Sequence, residues 1–454
     1  NSEQIVFRAR LMILFVAVFG GIFLFYWINK RVSYLAAIFA LFLYCFSPNI
    51  LAHARLATTD MVSTVFIMCS IMTFWDLLTR ESRKRIILCG IFLGLALLSK
   101  FTALLLLPVY AVVYIFQVIM KRGKGDKRLR VRSVLGVLLI SFMIMWIGYG
   151  FEGKPILSED TMRLEEKTII AENMIQTYAP GFKDKWMYLL RNVPVPMSSY
   201  LVGVLGVIKH GAEGARVLFM GKWSEKGNPF YYVVAMLIKT PISLFLFFLL
   251  GCLRAFYSRY RKLVLYLLFI TGLFIVSASS SDLQLGLRYI LPVYPLIFII
   301  SAIGLKRLIS TNLVSKRIAI VLLLWYAVSS IMIWPNYLSY FNEIIGGPSN
   351  GYKYLGDSNL DWGQNLPALK KFMTKKKIDR IALHYFDTEG PVYYGIKCDK
   401  ISEEEMINPK NKVYAISVDA ISSFKWTKGI DPVAKVGYTF FIYDFRQENN
   451  KDSE

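Results

Sequence analysis

Residues 86–120 read IILCGIFLGLALLSKFTALLLLPVYAVVYIFQVIM, and Lys100 is the only charge in the run. Crossing the hydrocarbon of a bilayer takes about 20 apolar residues as a helix, so the stretch holds two spans. Lys100 falls near its middle, where an ammonium can reach the interface and mark a tight turn. The reading is a transmembrane hairpin. Comparable apolar runs recur along the chain, giving about ten spans at 11–28, 34–48, 61–78, 86–99, 102–120, 133–150, 230–253, 263–280, 289–305 and 318–334. Such runs are read as helices because a helix satisfies its own backbone in lipid.

The composition agrees. Of 454 residues, 55% are hydrophobic and 19% charged, too little charge to cover a soluble protein of this size. The 53 Lys and Arg against 31 Asp and Glu give +22, which on a soluble chain would suggest nucleic acid. Its location excludes that partner. The connecting segments 29–31, 79–85, 121–132, 254–262 and 306–317 carry 21 Lys and Arg, with Glu81 and Asp126 as their acids. Segments 49–60, 99–101 and 281–288, on the other side, carry only Arg55, Lys100 and Arg288 as basic residues. By the positive-inside rule the first set is cytoplasmic. A multi-pass protein of the cell (inner) membrane follows, with two longer segments, 151–229 and 335–454, outside. Arg8 and Arg10 precede the first span and fit this orientation poorly. An upstream helix and its external loop, ahead of this sequence, would account for them.

The expected organisation is a transmembrane domain at 1–334, including an external helical loop at 151–229, followed by a small external α/β domain at 335–454. In the loop, 161–178 is amphipathic and 197–219 more apolar; both read as helices on the membrane face. In the C-terminal domain, 367–377 reads as a helix, and 378–386, 413–418 and 438–445 as strands. The five cysteines form no CxxC pair and four lie in apolar runs, so neither a disulfide framework nor a zinc site is expected.

Polar residues that a membrane makes costly gather on the outer side. The stretch Ser47-Pro48-Asn49-Ile50-Leu51-Ala52-His53-Ala54-Arg55-Leu56-Ala57-Thr58-Thr59-Asp60 leaves one span and enters the next. Asp60 either caps the following helix or serves chemistry at the lip of the span. Arg55, five residues earlier, offers a fork for phosphate, and His53 lies beside it. Lys239 lies about ten residues into its span, too deep to snorkel easily, next to Pro241. Asp282 and Arg288 read as another acid–base pair. Asp357 and Asp361, four residues apart, would share one helical face and could contact sugar hydroxyls or a divalent cation. Several cations and a few acids at one membrane level suit an anionic lipid head group, but also an anion transporter.

The motifs also carry a resemblance. The 47–60 stretch, Leu97-Leu98-Ser99-Lys100-Phe101-Thr102, Lys239-Thr240-Pro241 and Gly286-Leu287-Arg288-Tyr289-Ile290-Leu291-Pro292-Val293-Tyr294-Pro295 resemble the polyprenyl-phosphate-dependent glycosyltransferases of the protein O-mannosyltransferase and aminoarabinose-transferase type. So do Tyr337-Leu338-Ser339-Tyr340-Phe341-Asn342-Glu343 and Asp357-Ser358-Asn359-Leu360-Asp361-Trp362-Gly363-Gln364. The resemblance covers most of residues 5–370. It implies a GT-C membrane enzyme that passes a sugar from a polyprenyl-phosphate donor to a protein, lipid or glycan acceptor outside the cell. It casts Arg55 as a phosphate ligand and Asp60 as a polar anchor of the acceptor or donor site; within this sequence Asp60 is the remaining candidate for the catalytic acid. It also implies an acid on a first external loop, ahead of the aligned region. Arg55, Lys100, Lys239, Arg288 and His53 are the phosphate-site candidates. A secondary transporter of an anionic metabolite and a non-catalytic subunit that binds lipid-linked sugar are the competing readings.

Overall fold

A computed structural model describes residues 2–120, 130–158, 168, 172, 176, 181, 183–255, 257–385 and 390–446. Packing divides the chain into two compact units, 66–213 and 1–65 together with 214–454.

In the 66–213 unit, helix Arg83–Ser99 packs along Val131–Gly148. Small residues allow the approach: a Cβ on Gly90 would meet Ile140 at 2.6 Å, and one on Gly94 would meet Ile144 at 2.7 Å. Close backbone approach of this kind replaces the hydrophobic drive that lipid-embedded helices lack. The expected turn at Lys100 is present. Helix Arg83–Ser99 ends there in extended backbone, and the turn Phe101–Leu105 leads into Leu106–Met120. Helices Lys183–Asn192 and Ser198–Glu213 complete this unit. The amphipathic stretch expected at 161–178 lies, except for residues 168, 172 and 176, outside the described residues.

In the other unit, helix Val293–Ile309 is the centre, buried at every position from Val293 to Leu305. It packs against Tyr34–Cys45, Ile242–Ala255, Arg261–Ser279 and Leu313–Met332. Gly251 and Gly304 make the tightest crossing, since a Cβ on Gly304 would meet the Gly251 nitrogen at 2.5 Å.

Among the described residues, six helices are long and apolar enough to cross a membrane, or eight if each bent pair counts as one. The protein is a multi-pass membrane protein, but the ten spans expected from sequence exceed this count. Four of the expected spans account for the difference from six. The span expected at 34–48 stops at Cys45 and resumes as Pro48–Ala54 after a 62° bend, and Tyr231–Lys239 meets Ile242–Arg254 at 112°. Helix Arg83–Ser99 has only 17 residues, and three basic ones, Arg83, Lys84 and Arg85, open it. Helix Val293–Ile309 also has 17, with Lys306 and Arg307 in its last turn.

Toward the C-terminus a five-stranded sheet forms in the order Lys397–Asp399, Arg380–His384, Val413–Ser417, Phe440–Asp444, Ala434–Val436. The first three strands are parallel, and the last two join antiparallel. Strand Val413–Ser417 is buried throughout, as a strand covered on both faces must be. Helix Leu366–Lys375 lays Leu366, Leu369 and Met373 on the sheet, against Ile381, Leu383 and Ile442.

Candidate functional site

The motif blocks, far apart in sequence, fold into one hydrogen-bonded core. Pro241 has no N–H to give Leu237, and it turns the preceding residue away from the helix. The carbonyls freed at this break are then met one by one. Asn342 donates from Nδ2 to Leu237 O at 2.6 Å and Thr240 O at 2.8 Å, and from its backbone to Ile238 O at 2.8 Å. Asn49 donates to Lys239 O at 2.8 Å and to the Tyr294 hydroxyl at 3.0 Å, and Thr240 bonds the same hydroxyl at 2.6 Å. Buried backbone groups that lacked such partners would cost several kcal/mol each in lipid.

Lys239 is 2% exposed. Its Nζ donates to three carbonyls: Leu338 at 2.8 Å, Tyr340 at 3.3 Å and Asn359 at 2.5 Å. The Phe341 ring lies 4.3 Å away. All three ammonium protons therefore go to backbone oxygens of the 337–341 and 357–364 blocks.

Asn359 continues the network. It receives the Leu287 N–H at 3.1 Å on Oδ1 and donates from Nδ2 to Tyr231 at 2.8 Å. Ser358 donates to Leu285 O. The 285–288 segment is thus held from both sides and presents Arg288. The Arg288 Nε donates to Leu285 O at 3.0 Å, and the guanidinium carbon lies 4.2 Å from the Trp362 ring centre and 5.7 Å from that of Tyr289. Asp60, 3% exposed in the first turn of helix Thr59–Thr79, belongs to the same neighbourhood. The Tyr289 hydroxyl feels the charges of Arg288, Asp60 and Asp357 together.

Arg55 donates to Pro335 O and lies 6.0 Å over the Tyr337 ring. Partial burial lowers its pKa below the ordinary value, opposed by Tyr337 and aided to a smaller degree by the like charge of Arg10. Sequence reading met Arg10 only as a misfit in topology; the structure puts it near Arg55 as a second cation. His53 is buried in the short helix Pro48–Ala54. Lys100 lies in the 66–213 unit, half-buried at the end of its helix.

Two expectations about the acids need correcting. Asp282 does not pair with Arg288: its Oδ1 accepts the Gly227 N–H at 3.0 Å. Asp357 and Asp361 do not share a helical face either. Asp357 has left-handed backbone at φ 55°, and only a single 3-10 turn, Asp357–Asn359, follows. Asp361 points inward, fully buried, accepting the Gly363 N–H and the Ser417 hydroxyl, each at 3.0 Å. Asp357 stays half-buried; burial raises its carboxyl and the charge of Arg288 opposes the rise. Among the described residues no three His, Cys, Asp or Glu side chains converge to hold a metal ion.

A third acid, Asp419, was not legible in sequence. Its Oδ1 accepts the Asp357 N–H at 2.8 Å, while its Oδ2 is buried without a hydrogen bond among the described residues. Burial, with the charges of Asp361 and Asp357, pushes its carboxyl up to about 8, and burial pushes Asp361 to about 6. The unfolded chain releases these protons near the ordinary carboxylate value, while the fold keeps them. Stability therefore falls as pH rises from about 4 to 8 and levels off above. The melting temperature is expected to be lower at about pH 9 than at about pH 5, and Asp419→Asn should flatten the upper half of that fall. Unchanged slope in the variant would show that the proton sits elsewhere.

Residues 4–146 match the family described as dolichyl-phosphate-mannose-protein mannosyltransferase; the segment includes Arg10, His53, Arg55, Asp60 and Lys100. No curated protein matches the chain. Among solved structures, the chain is similar to ArnT from Cupriavidus metallidurans bound to undecaprenyl phosphate, with 13% identity, 96% of this chain and 83% of that chain covered, and a TM-score of 0.44. It is also similar to the oligosaccharyltransferase AglB from Archaeoglobus fulgidus in complex with an inhibitory peptide and a dolichol-phosphate, with 13% identity, 85% and 48% covered, and a TM-score of 0.42. The resemblance read from the motifs thus has a family match over residues 4–146.

Proposed function

We propose that this protein is a GT-C-type glycosyltransferase. It moves a sugar from a polyprenyl-phosphate carrier to a protein, lipid or glycan acceptor at the extracytoplasmic face of the cell (inner) membrane. The sheet-bearing segment 335–454 then forms an extracytoplasmic domain, and mannosyl phosphate is the donor class to try first. The observation that carries the reading is the Arg288 guanidinium, fixed against Trp362 and sharing one electrostatic neighbourhood with Asp60 and Asp357. The match over residues 4–146 supports it.

In this reading the acceptor oxygen forms a bond to the sugar C1 as the bond from C1 to the phosphate oxygen breaks. Charge grows on the departing phosphate, and fixed cations placed to meet it stabilise the transition state. Arg288 and Arg55 take that role, with His53 lining the site. Asp60 takes the acceptor proton or orients the acceptor hydroxyl, and its negative charge favours the oxocarbenium character at C1. Asp357, beside Arg288, contacts sugar hydroxyls. Asp361, with both oxygens engaged inside the chain, has no place in the chemistry.

Membranes holding the full-length protein, given radiolabelled polyprenyl-phosphate mannose and then other polyprenyl-phosphate sugars, should transfer label to an acceptor fraction. Absence of transfer from every donor, together with flux of a soluble anionic metabolite into sealed vesicles, would replace the enzyme with a transporter. Donor binding without transfer would reduce it to a binding subunit.

A further inference from the structure

The guanidinium of Arg288 carries its donors in one plane. Its Nε is engaged by Leu285 O at 3.0 Å, and one face is covered by Trp362 at 4.2 Å. Among the described residues, neither Nη makes a hydrogen bond and no carboxylate comes within ion-pair distance. The edge that remains is the two-pronged one that grips a phosphate through parallel hydrogen bonds. A ring against the face of a guanidinium fixes its plane and leaves its in-plane donors for another partner.

Trp362 is itself rigidly held. Its backbone N–H donates to Gln364 Oε1 at 2.6 Å, and the next residue, Gly363, donates to Asp361. Asp361 in turn accepts from Ser417, at the end of a sheet strand. The indole also packs with the cluster of Ala52, Leu56 and Leu338, whose neighbour Tyr337 lies under Arg55. One side chain therefore touches Arg288 and the apolar plug beside Arg55. Precise placement of a binding group requires this kind of support from behind.

We infer that Trp362 is the positioning residue for phosphate capture: it sets the plane of Arg288 so that both Nη groups face the lipid phosphate. The inference rests on the donor class proposed above. It assigns a role to the most distinctive motif of the chain that no sugar or cation contact at Asp361 can supply.

Binding of a radiolabelled polyprenyl monophosphate to the purified full-length protein tests it, with inorganic phosphate and the unphosphorylated polyprenol as separate arms. Trp362→Ala should weaken binding about tenfold, the size of a desolvated ring–cation contact. Trp362→Phe, which keeps an aromatic face, should restore most of that loss. In an Arg288→Ala background, Trp362→Ala should cost nothing more, because its effect passes through the missing guanidinium. A loss of equal size in both backgrounds, or wild-type binding by Trp362→Ala, would overturn the positioning role and leave the glycosyltransferase reading standing. If the wild-type protein binds inorganic phosphate or bare polyprenol as tightly as the polyprenyl phosphate, the donor class itself falls, and the inference with it.

Discussion

Lys239→Met should leave little folded protein to extract from the membrane. The substitution keeps much of the length and apolar stem of the side chain but removes an ammonium whose three protons reach Leu338, Tyr340 and Asn359 carbonyls. Hydrogen bonds from a charged donor contribute about 1.5–3 kcal/mol each, and an acceptor left buried and unmet costs more. Native stability is only about 5–15 kcal/mol, so losing three such bonds at one buried point removes a large share of it. Gel filtration in mild detergent, with the melting temperature, reads the outcome. The experiment also separates two roles for this lysine. A phosphate ligand would give a Met variant that folds and melts like the wild type but fails to bind lipid phosphate. A structural pin gives aggregation or a melting temperature many degrees lower before any ligand is added. Lys239→Arg should fall between the two, since the planar fork keeps the charge but cannot address three carbonyls from one point.

What sequence could and could not disclose follows from the kind of signal each residue gives. Apolar runs and the sign of their connecting loops report directly on lipid, so the hairpin at Lys100 and the helices around it were readable. Span count was not, because a break such as Lys239-Thr240-Pro241 within an apolar run looks continuous until the angle is seen. In the C-terminal segment, the strands near 378–386, 413–418 and 438–445 showed through their β-branched and aromatic residues. The three-residue edge strands Lys397–Asp399 and Ala434–Val436 are too short to carry a pattern. The cations were conspicuous because charge is costly near lipid, yet cost alone does not say which use justifies it. Lys239 and Arg288 look alike in sequence, and the structure gives one to carbonyls and the other to a ring. Asn49, Asn342 and Asn359 were overlooked although the same reasoning applies to them: a buried amide in an apolar setting needs partners as surely as a charge does. Asp419 lay in an ordinary polar turn, and only the fold brings it to Asp357.

Asp60→Asn and Arg55→Ala should each bring sugar transfer close to background while leaving insertion and melting nearly unchanged. For Asp60 the argument is one of charge at constant shape. Asparagine fills the same volume at a site only 3% exposed, and the backbone oxygen at this position still accepts the Ser63 and Thr64 hydroxyls at 2.9 and 2.8 Å. The helix start is therefore kept, whereas the group that takes or orients the acceptor proton is lost; such a group is worth about 10²- to 10⁴-fold. Arg55 differs in kind. It is exposed, donates to Pro335 O and feels the like charge of Arg10. Removing one fixed cation should cut transfer by about 10²- to 10³-fold, as losing a preorganised donor does in other acyl- and phosphoryl-transfer sites. Arg55→Lys keeps the charge without the fork and should recover only part of the rate. The decisive measurement is transfer per folded molecule, normalised by gel filtration, across pH. If Asp60→Asn retains near-normal transfer, Asp60 leaves the mechanism and Asp357, beside Arg288, becomes the acid to replace next. If Arg55→Ala does, the phosphate is met by Arg288 without it.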